Sequence, residues 1–280
     1  MQRTNIFLIM KLSIFTSMTN PEKRNDAWEE AISCYEDIAD EVIIVGDSWP
    51  EEFKFDLIGQ TYQEGFEKSS GDWVIRMDLD YFFHEKDIGK IRKILEKNTD
   101  SPAVAFPQYQ FFTPDRYHVK TIICTALNKR NFPEIVQNGG GDMCLPTING
   151  SRIMPDSVPV AKIPVWQYDS LFRTKEIIAE DRARFARAWF RQFNNYGDRG
   201  GGSPEEAFNA WFEMIKVKYK KHVLKSSTRS HPKYIQKRLV GLNKNQFGYD
   251  AFGLKEKTNR DLYDYIKGYK EKYFDLNFMV

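Results

Sequence analysis

Residues 71–85 read Gly71-Asp72-Trp73-Val74-Ile75-Arg76-Met77-Asp78-Leu79-Asp80-Tyr81-Phe82-Phe83-His84-Glu85. Trp73 to Met77 has the composition of a buried strand, and it runs straight into Asp78-Leu79-Asp80. Side chains alternate in an extended turn, so the carboxylates of Asp78 and Asp80 approach one region while Leu79 turns toward the core. Two carboxylates at a strand end are hard oxygen ligands for a divalent cation that takes its other ligands from water and substrate phosphates. The plainer account is that two aspartates end a strand and cap the next loop. The residues on either side must decide between them.

The sequence on both sides alternates strand and helix. Lys11 to Thr16 reads as a first strand, followed by a loop at Asn20-Pro21. Asp26 to Ile38 carries a helical stripe of apolar residues. Glu41 to Val45 is a short β-branched strand closed by Gly46-Asp47-Ser48, and Phe55 to Lys68 is helical. Beyond the Asp78 turn, Asp87 to Lys97 is a helix, and Ala103 to Phe112 and Tyr117 to Leu127 are strands. The short connections predict an α/β fold with a mainly parallel central sheet flanked by helices. Asn138 to Val165 reads as loops and short strands of an acceptor side. Thr174 to Phe193 is a long helix, and a Gly-rich connector follows it. Ser203-Pro204-Glu205-Glu206 then has the form of a capping box.

This pattern divides the chain into residues 1–198, with a first half at about 11–112 and a second half at about 113–198, and a helical basic C-terminal extension at 203–280. The 280 residues carry 41 Lys plus Arg against 39 Asp plus Glu, so no overall charge commits the protein to a polyanion. One local stretch differs: Lys216 to Lys244 holds ten basic and no acidic residues, which suits an anionic membrane surface or a solvated basic face. No recognised nucleic-acid module is present, which weighs against that partner. The three cysteines, Cys34, Cys124 and Cys144, have no CxxC spacing, which argues against a disulfide scaffold or zinc finger. Lys11 interrupts the apolar N-terminal run before it reaches transmembrane length, so the expected location is cytoplasmic, peripheral at the membrane.

The segment GDWVIRMDLDYFFHE resembles the core of the GT-A glycosyltransferases, in particular family 2, where a Gly-Asp-aromatic turn precedes a strand ending in Asp-x-Asp. The stretch KLSIFTSMTNPEKRNDAWEEAISCYEDIADEVIIVGDSWP is similar to the first βαβ unit of that family. The resemblance runs in order over roughly residues 11–187 and is strongest before Leu95. It implies the GT-A (nucleotide-diphospho-sugar transferase) fold, a nucleotide-diphosphate sugar donor, a carbohydrate or lipid-linked acceptor, and Mn²⁺ or Mg²⁺. Thr16, Asn20 and Asp47 would surround the nucleoside. Asp78 would face the ribose or sugar, and Asp80 would hold the metal with Asp78 beside it. Arg24 would pair with an anionic or acceptor group. Arg76 would serve the donor or form a salt bridge.

Relatives often carry a His-Tyr-Gly stretch with its histidine near the metal. Here the matching residues are Gln167-Tyr168-Asp169, so Gln167 stands where a third ligand is expected and Asp169 is the alternative. His84 is a further candidate near the metal, or simply a residue at a helix start. Trp166 and Tyr168 offer stacking surfaces for a sugar. An inverting transfer needs a general base for the acceptor hydroxyl. The resemblance places it on an acceptor-side carboxylate, with Asp142 first and Asp169 and Asp181 as alternatives. For Asp181 a helical ion pair with Arg182 or Arg184 is the bland account.

Two other readings remain. A nucleotidyltransferase would carry a Gly-rich basic signature after the first strand, and Asn20 to Arg24 lacks it. A catalytically weak or inactive nucleotide-sugar or glycan binding module would keep the fold without the chemistry, and the missing histidine keeps that alternative open.

Overall fold

The computed structural model describes residues 10–46, 49–138, 145–215 and 224–242. The chain opens with β1 (Leu12–Ser17), the single turn α1 (Pro21–Arg24), α2 (Trp28–Ile38), β2 (Glu41–Val45) and α3 (Phe55–Lys68). The middle holds β3 (Trp73–Arg76), β4 (Tyr81–Phe82), α4 (Ile88–Lys97) and the long strands β5 (Ala103–Thr113) and β6 (Arg116–Asn128). Then come a small hairpin of β7 (Thr147–Ile148) and β8 (Ser151–Arg152), β9 (Val165–Gln167), α5 (Lys175–Phe193), α6 (Pro204–Glu213), β10 (Leu224–Lys225) and α7 (Lys233–Val240).

The main sheet has the order β2-β1-β3-β6-β5-β9-β4, with β10 added to β6. β1 is parallel to β2 and β3, as the strand-helix alternation predicts. The rest corrects the expectation of a mainly parallel sheet. β6 runs antiparallel to β3, β5 and β10, and β4 runs antiparallel to β9, so the sheet is mixed. The cause is the tight Thr113-to-Arg116 connection, which makes β5 and β6 a hairpin and reverses the direction of β6.

Apolar packing holds the sheet between helices. Leu12, Ile14, Trp73 and Ile75 face α2 and α4 within one core cluster. Phe15 and Val74 face α3 in a second cluster, with Ile58, Tyr62 and Phe66. Gly65 is required at that contact, because a Cβ there would lie 2.4 Å from the Phe15 ring. Ser203 and Glu206 form the expected capping box, and α6 packs Phe208 and Trp211 onto Ile178 of α5. The described part of the C-terminal extension returns to the main body. Arg238 of α7 donates to Asn25, Asp26 and Glu30, and Lys233 pairs with Asp37 at 2.7 Å. Part of the basic run, residues 216–223 and 243–244, lies outside the described residues.

Candidate active site

The ends of β1 and β3, the start of α3, the bulged part of β6, the end of β9 and one face of α5 enclose a pocket of about 270 Å³. Its rim on the β1 side has Ser17, Thr19 and Trp49, with Phe55 and Tyr62 of α3 nearby. Gly46 permits this arrangement. It sits at φ +67°, and a Cβ would come within 2.6 Å of Trp49 Nε1 and 2.9 Å of Ser17 Oγ. Both of those polar atoms are buried without a hydrogen-bond partner, in a place where a polar ligand would supply one.

Asp78 and Asp80 both line the pocket, with Leu79 between them. The backbone pins the turn. Tyr35 donates its buried hydroxyl to the Asp78 carbonyl at 2.7 Å, and Tyr168 N–H donates to the Asp80 carbonyl at 2.9 Å. Tyr62 donates to Asp78 Oδ1 at 3.2 Å, and the Arg76 guanidinium lies 4.7 Å from the centre of the Tyr62 ring. Arg76 therefore stands behind Tyr62 and is not part of the pocket lining.

Gln167 is placed differently from the expectation of a metal ligand. Gln108 Nε2 donates to its Oε1 at 2.8 Å, and its own Nε2 donates to Asp80 Oδ2 at 2.9 Å. The amide oxygen is thus engaged by Gln108, and the side chain orients Asp80 as a hydrogen-bond donor. Burial, then the nearby charges of Asp169 and Asp78, raise the Asp80 pKa to about 7. Among the described residues no group of three or more His, Cys, Asp or Glu side chains is arranged to hold a metal ion. The donor set suits one bound by two carboxylates: Asp78 and Asp80 offer hard oxygens, and a cation would relieve the repulsion that raises Asp80. His84 is turned elsewhere. Its Nδ1 accepts from Lys86 N–H, and its ring packs near Trp166.

Opposite the carboxylate turn stands a lattice of ion pairs. Arg173, 3% exposed, reaches Asp26 at 2.6 Å, Asp169 at 3.1 Å and Asp181 at 3.3 Å. Arg24 lies 3.5 Å from both Asp26 and Asp181, and Arg182 lies 2.6 Å from Asp169. Burial opposes the charge on Asp169, but Arg182, Arg173, Lys120 and Arg24 outweigh it and hold the carboxyl far below the usual range. Asp181 is lowered in the same way by Arg24 and Arg173 against burial. Both alternatives for the general base reach the pocket, yet each is an ion-paired carboxylate of reduced basicity. Burial also pulls the Lys120 pKa down, against the attraction of Asp169.

Arg24, Asp78, Asp80, Gln167, Asp169 and Asp181 are thus brought together around one pocket. Asn20 borders an adjoining cavity with Arg24 and Asp181. Thr16 is buried inside β1, one residue short of the rim. Trp166 and Tyr168 correct the expectation of stacking surfaces here. They point to the other side of the sheet, where Phe111 stacks on both at 5.2 Å and Tyr168 hydrogen-bonds His231. Asp47 and Asp142 lie outside the described residues.

Residues 56–147 match the family model described as Glycosyl transferase family 2. Over that segment the chain is similar to the family 2 glycosyltransferases. The matched segment includes the Asp78–Asp80 turn and Lys120, and it ends before Gln167, Asp169 and Asp181. Among solved structures, the crystal structure of S. aureus TarS 1-349 is similar at 10% identity and a TM-score of 0.34, covering 76% of this chain and 77% of that one. A likeness that loose says nothing about chemistry. No curated protein matches the chain.

Several pocket residues escaped the sequence reading. Arg182 was visible beside Asp181 but pairs with Asp169, and Arg173 follows Asp169 by four residues in the turn before α5. Lys120 owes its place to an irregularity: the β5–β6 register shifts between Gln108 and Tyr109, leaving residue 120 as the extra one on β6. Ser17, Trp49 and Arg199 carry no local motif.

Proposed function

We propose that the chain transfers a sugar, with inversion, from a nucleotide-diphosphate sugar to a hydroxyl of a glycan or lipid-linked acceptor. The observation that carries this reading is the Asp78–Asp80 pair, pinned at a strand end and facing Lys120, Arg173 and Arg182 across one pocket. Open α/β sheets bind nucleotides at this end of their strands. The nucleoside lies toward Ser17, Trp49 and Tyr62, where the unpartnered Ser17 Oγ and Trp49 Nε1 await a ligand, with Thr16, Asn20 and Asp47 of the first βαβ unit around it. Asp80, with Asp78, holds Mn²⁺ or Mg²⁺, which when bound neutralises charge on the diphosphate. Gln167 keeps the Asp80 carboxylate oriented. Lys120 and Arg182 stabilise negative charge on the departing nucleotide diphosphate. Asp142 takes the proton of the acceptor hydroxyl, because Asp169 and Asp181 are committed to arginines. Asp169 is the second choice for that role.

Release of nucleoside diphosphate from a panel of nucleotide sugars, after chelation and with Mn²⁺ restored, tests the reading. Full activity in the chelated sample would remove the metal role from Asp80. Nucleotide binding with neither transfer nor hydrolysis would favour the alternative, a nucleotide-sugar binding module. The hydrogen bond from Gln167 to Asp80, where relatives have a histidine, is the observation on that side. We also assign the Lys216–Lys244 stretch to contact with an anionic membrane surface, at the cytoplasmic side. No described helix is long and apolar enough to cross a membrane. Sedimentation with anionic vesicles at low salt, released at high salt, is the expected outcome, and no binding at low salt would refute the assignment.

A further inference from the structure

The described residues do not wholly cover the aromatic side of the β5–β6–β9 sheet. A groove of about 380 Å³ is lined there by Tyr109, Tyr117 and Trp166 together with Ser226, Ser227 and Ser230. Tyr109 and Tyr117 are partly exposed, and their rings lie 4.7 Å apart, tilted by 31°. Trp166 is 7% exposed, and its indole N–H is buried without an acceptor. An unpaired buried donor at the wall of an open groove calls for an acceptor from a ligand.

The lining narrows the chemistry of that ligand. Lys86 and Asp87 both border the groove, so its lining carries one charge of each sign. Neither β6 nor β9 offers a peptide strand a free edge along these pairings: β6 is paired with β5 and β10, and β9 with β5 and β4. A purely apolar partner would leave the Trp166 N–H unsatisfied and would desolvate the seryl hydroxyls. A neutral ring that is apolar on its face and hydroxylated at its edge meets both demands, with aromatic faces below and hydroxyl partners beside it.

We propose that this groove binds a neutral saccharide at a site separate from the Asp78–Asp80 pocket. The two sites lie on opposite sides of β9, since Gln167 lines the pocket and its neighbour Trp166 lines the groove. The proposal stands apart from the transfer reaction, because it is read by binding without any nucleotide sugar.

The test is a titration of the ¹⁵N-labelled full chain with maltohexaose, cellohexaose and chitohexaose, following the indole N–H resonances assigned by single Trp→Phe variants. The expected result is a saturable shift of the Trp166 indole resonance with at least one of the three, while the Trp49 resonance in the pocket stays unmoved. Tyr117→Ala should weaken that binding roughly tenfold by removing one aromatic face, and Tyr117→Phe should retain it. Tyr109→Ala serves as the second variant if Tyr117→Ala fails to fold. The proposal is overturned if no sugar moves Trp166, if the sugars move Trp49 alone, or if the affinity survives loss of either tyrosine ring.

Discussion

The two faces of the β5–β6–β9 sheet share strands yet differ in almost every respect. One face carries Gln108, Gln110, His118, Gln167 and Tyr81, linked by side-chain hydrogen bonds. The Gln108–Gln167 bonds end on Asp80 and the His118–Gln110 bonds end on Asp169, both in the pocket. The other face carries Phe111, Tyr117, Trp166 and Tyr168, stacked ring on ring. The strand period of two separates them, so a one-residue slip of β9 would exchange Gln167 for Trp166 in the pocket. Hydrogen bonds have fixed directions and rings do not, so the polar face can set the orientation of a carboxylate while the aromatic face supplies cohesion. The comparison predicts that lesions at the buried centre of the aromatic face will cost stability, and lesions on the polar side will stop the chemistry and leave the fold.

The largest effect is expected from Phe111→Ala, which empties the centre of the stack among Trp166, Tyr168 and His231 and should cost about 3–5 kcal/mol by urea denaturation. A loss under about 1 kcal/mol would mean that the stack does not carry the sheet, since even tolerated core changes approach that size. Next is Asp80→Ala, which should lower kcat for nucleoside diphosphate release by about 100-fold or more while the unfolding midpoint holds or rises. Retained turnover would remove Asp80 from the chemistry and blur the distinction between the faces.

A smaller effect follows from His231, which closes the aromatic face. Its Nε2–H donates to the Pro114 carbonyl at 2.7 Å, so Nδ1 accepts from the Tyr168 hydroxyl and the ring is neutral. Burial, against the bond to Pro114, pushes its pKa down to about 4. The unfolded chain takes up that proton near pH 6.5. Stability from this group is therefore complete above pH 6.5 and declines as pH falls toward 4, by about 3 kcal/mol. Urea midpoints across that window should show the decline, and His231→Gln should flatten it. The smallest change is Arg182→Met. It frees one oxygen of Asp169, raises the Asp169 pKa and weakens nucleotide-sugar affinity about tenfold, the scale of one charge-assisted contact. Isothermal titration against the wild type would measure it, and unchanged affinity would leave Arg182 as a strut of the ion-pair lattice only.

Much of the local structure was legible because its causes are local. The apolar stripe of α2, the β-branched run of β2 and the Ser203–Glu206 box were each readable within a few residues, and α3 has the predicted ends. Asp78-Leu79-Asp80 was legible for the same reason, as a strand running into two carboxylates. The sidedness of Trp166 and Tyr168 was not. Alternation says that neighbours oppose each other, but only pairing with β5 and β4 says which of them faces the pocket.

By itself the sequence determined that a strand of buried residues would end in two carboxylates within an α/β chain, since periodicity and turn chemistry act over short range. Only the tertiary structure decided what those carboxylates meet. Asp26 and Arg173 are 147 positions apart and pair inside the protein. Gln108 orients Gln167 across 59 positions, and the bulge at residue 120 aims a lysine into the pocket. Such contacts depend on register and on the antiparallel return of β6. Charges buried together must find partners wherever folding places them, and spacing along the chain does not encode that choice.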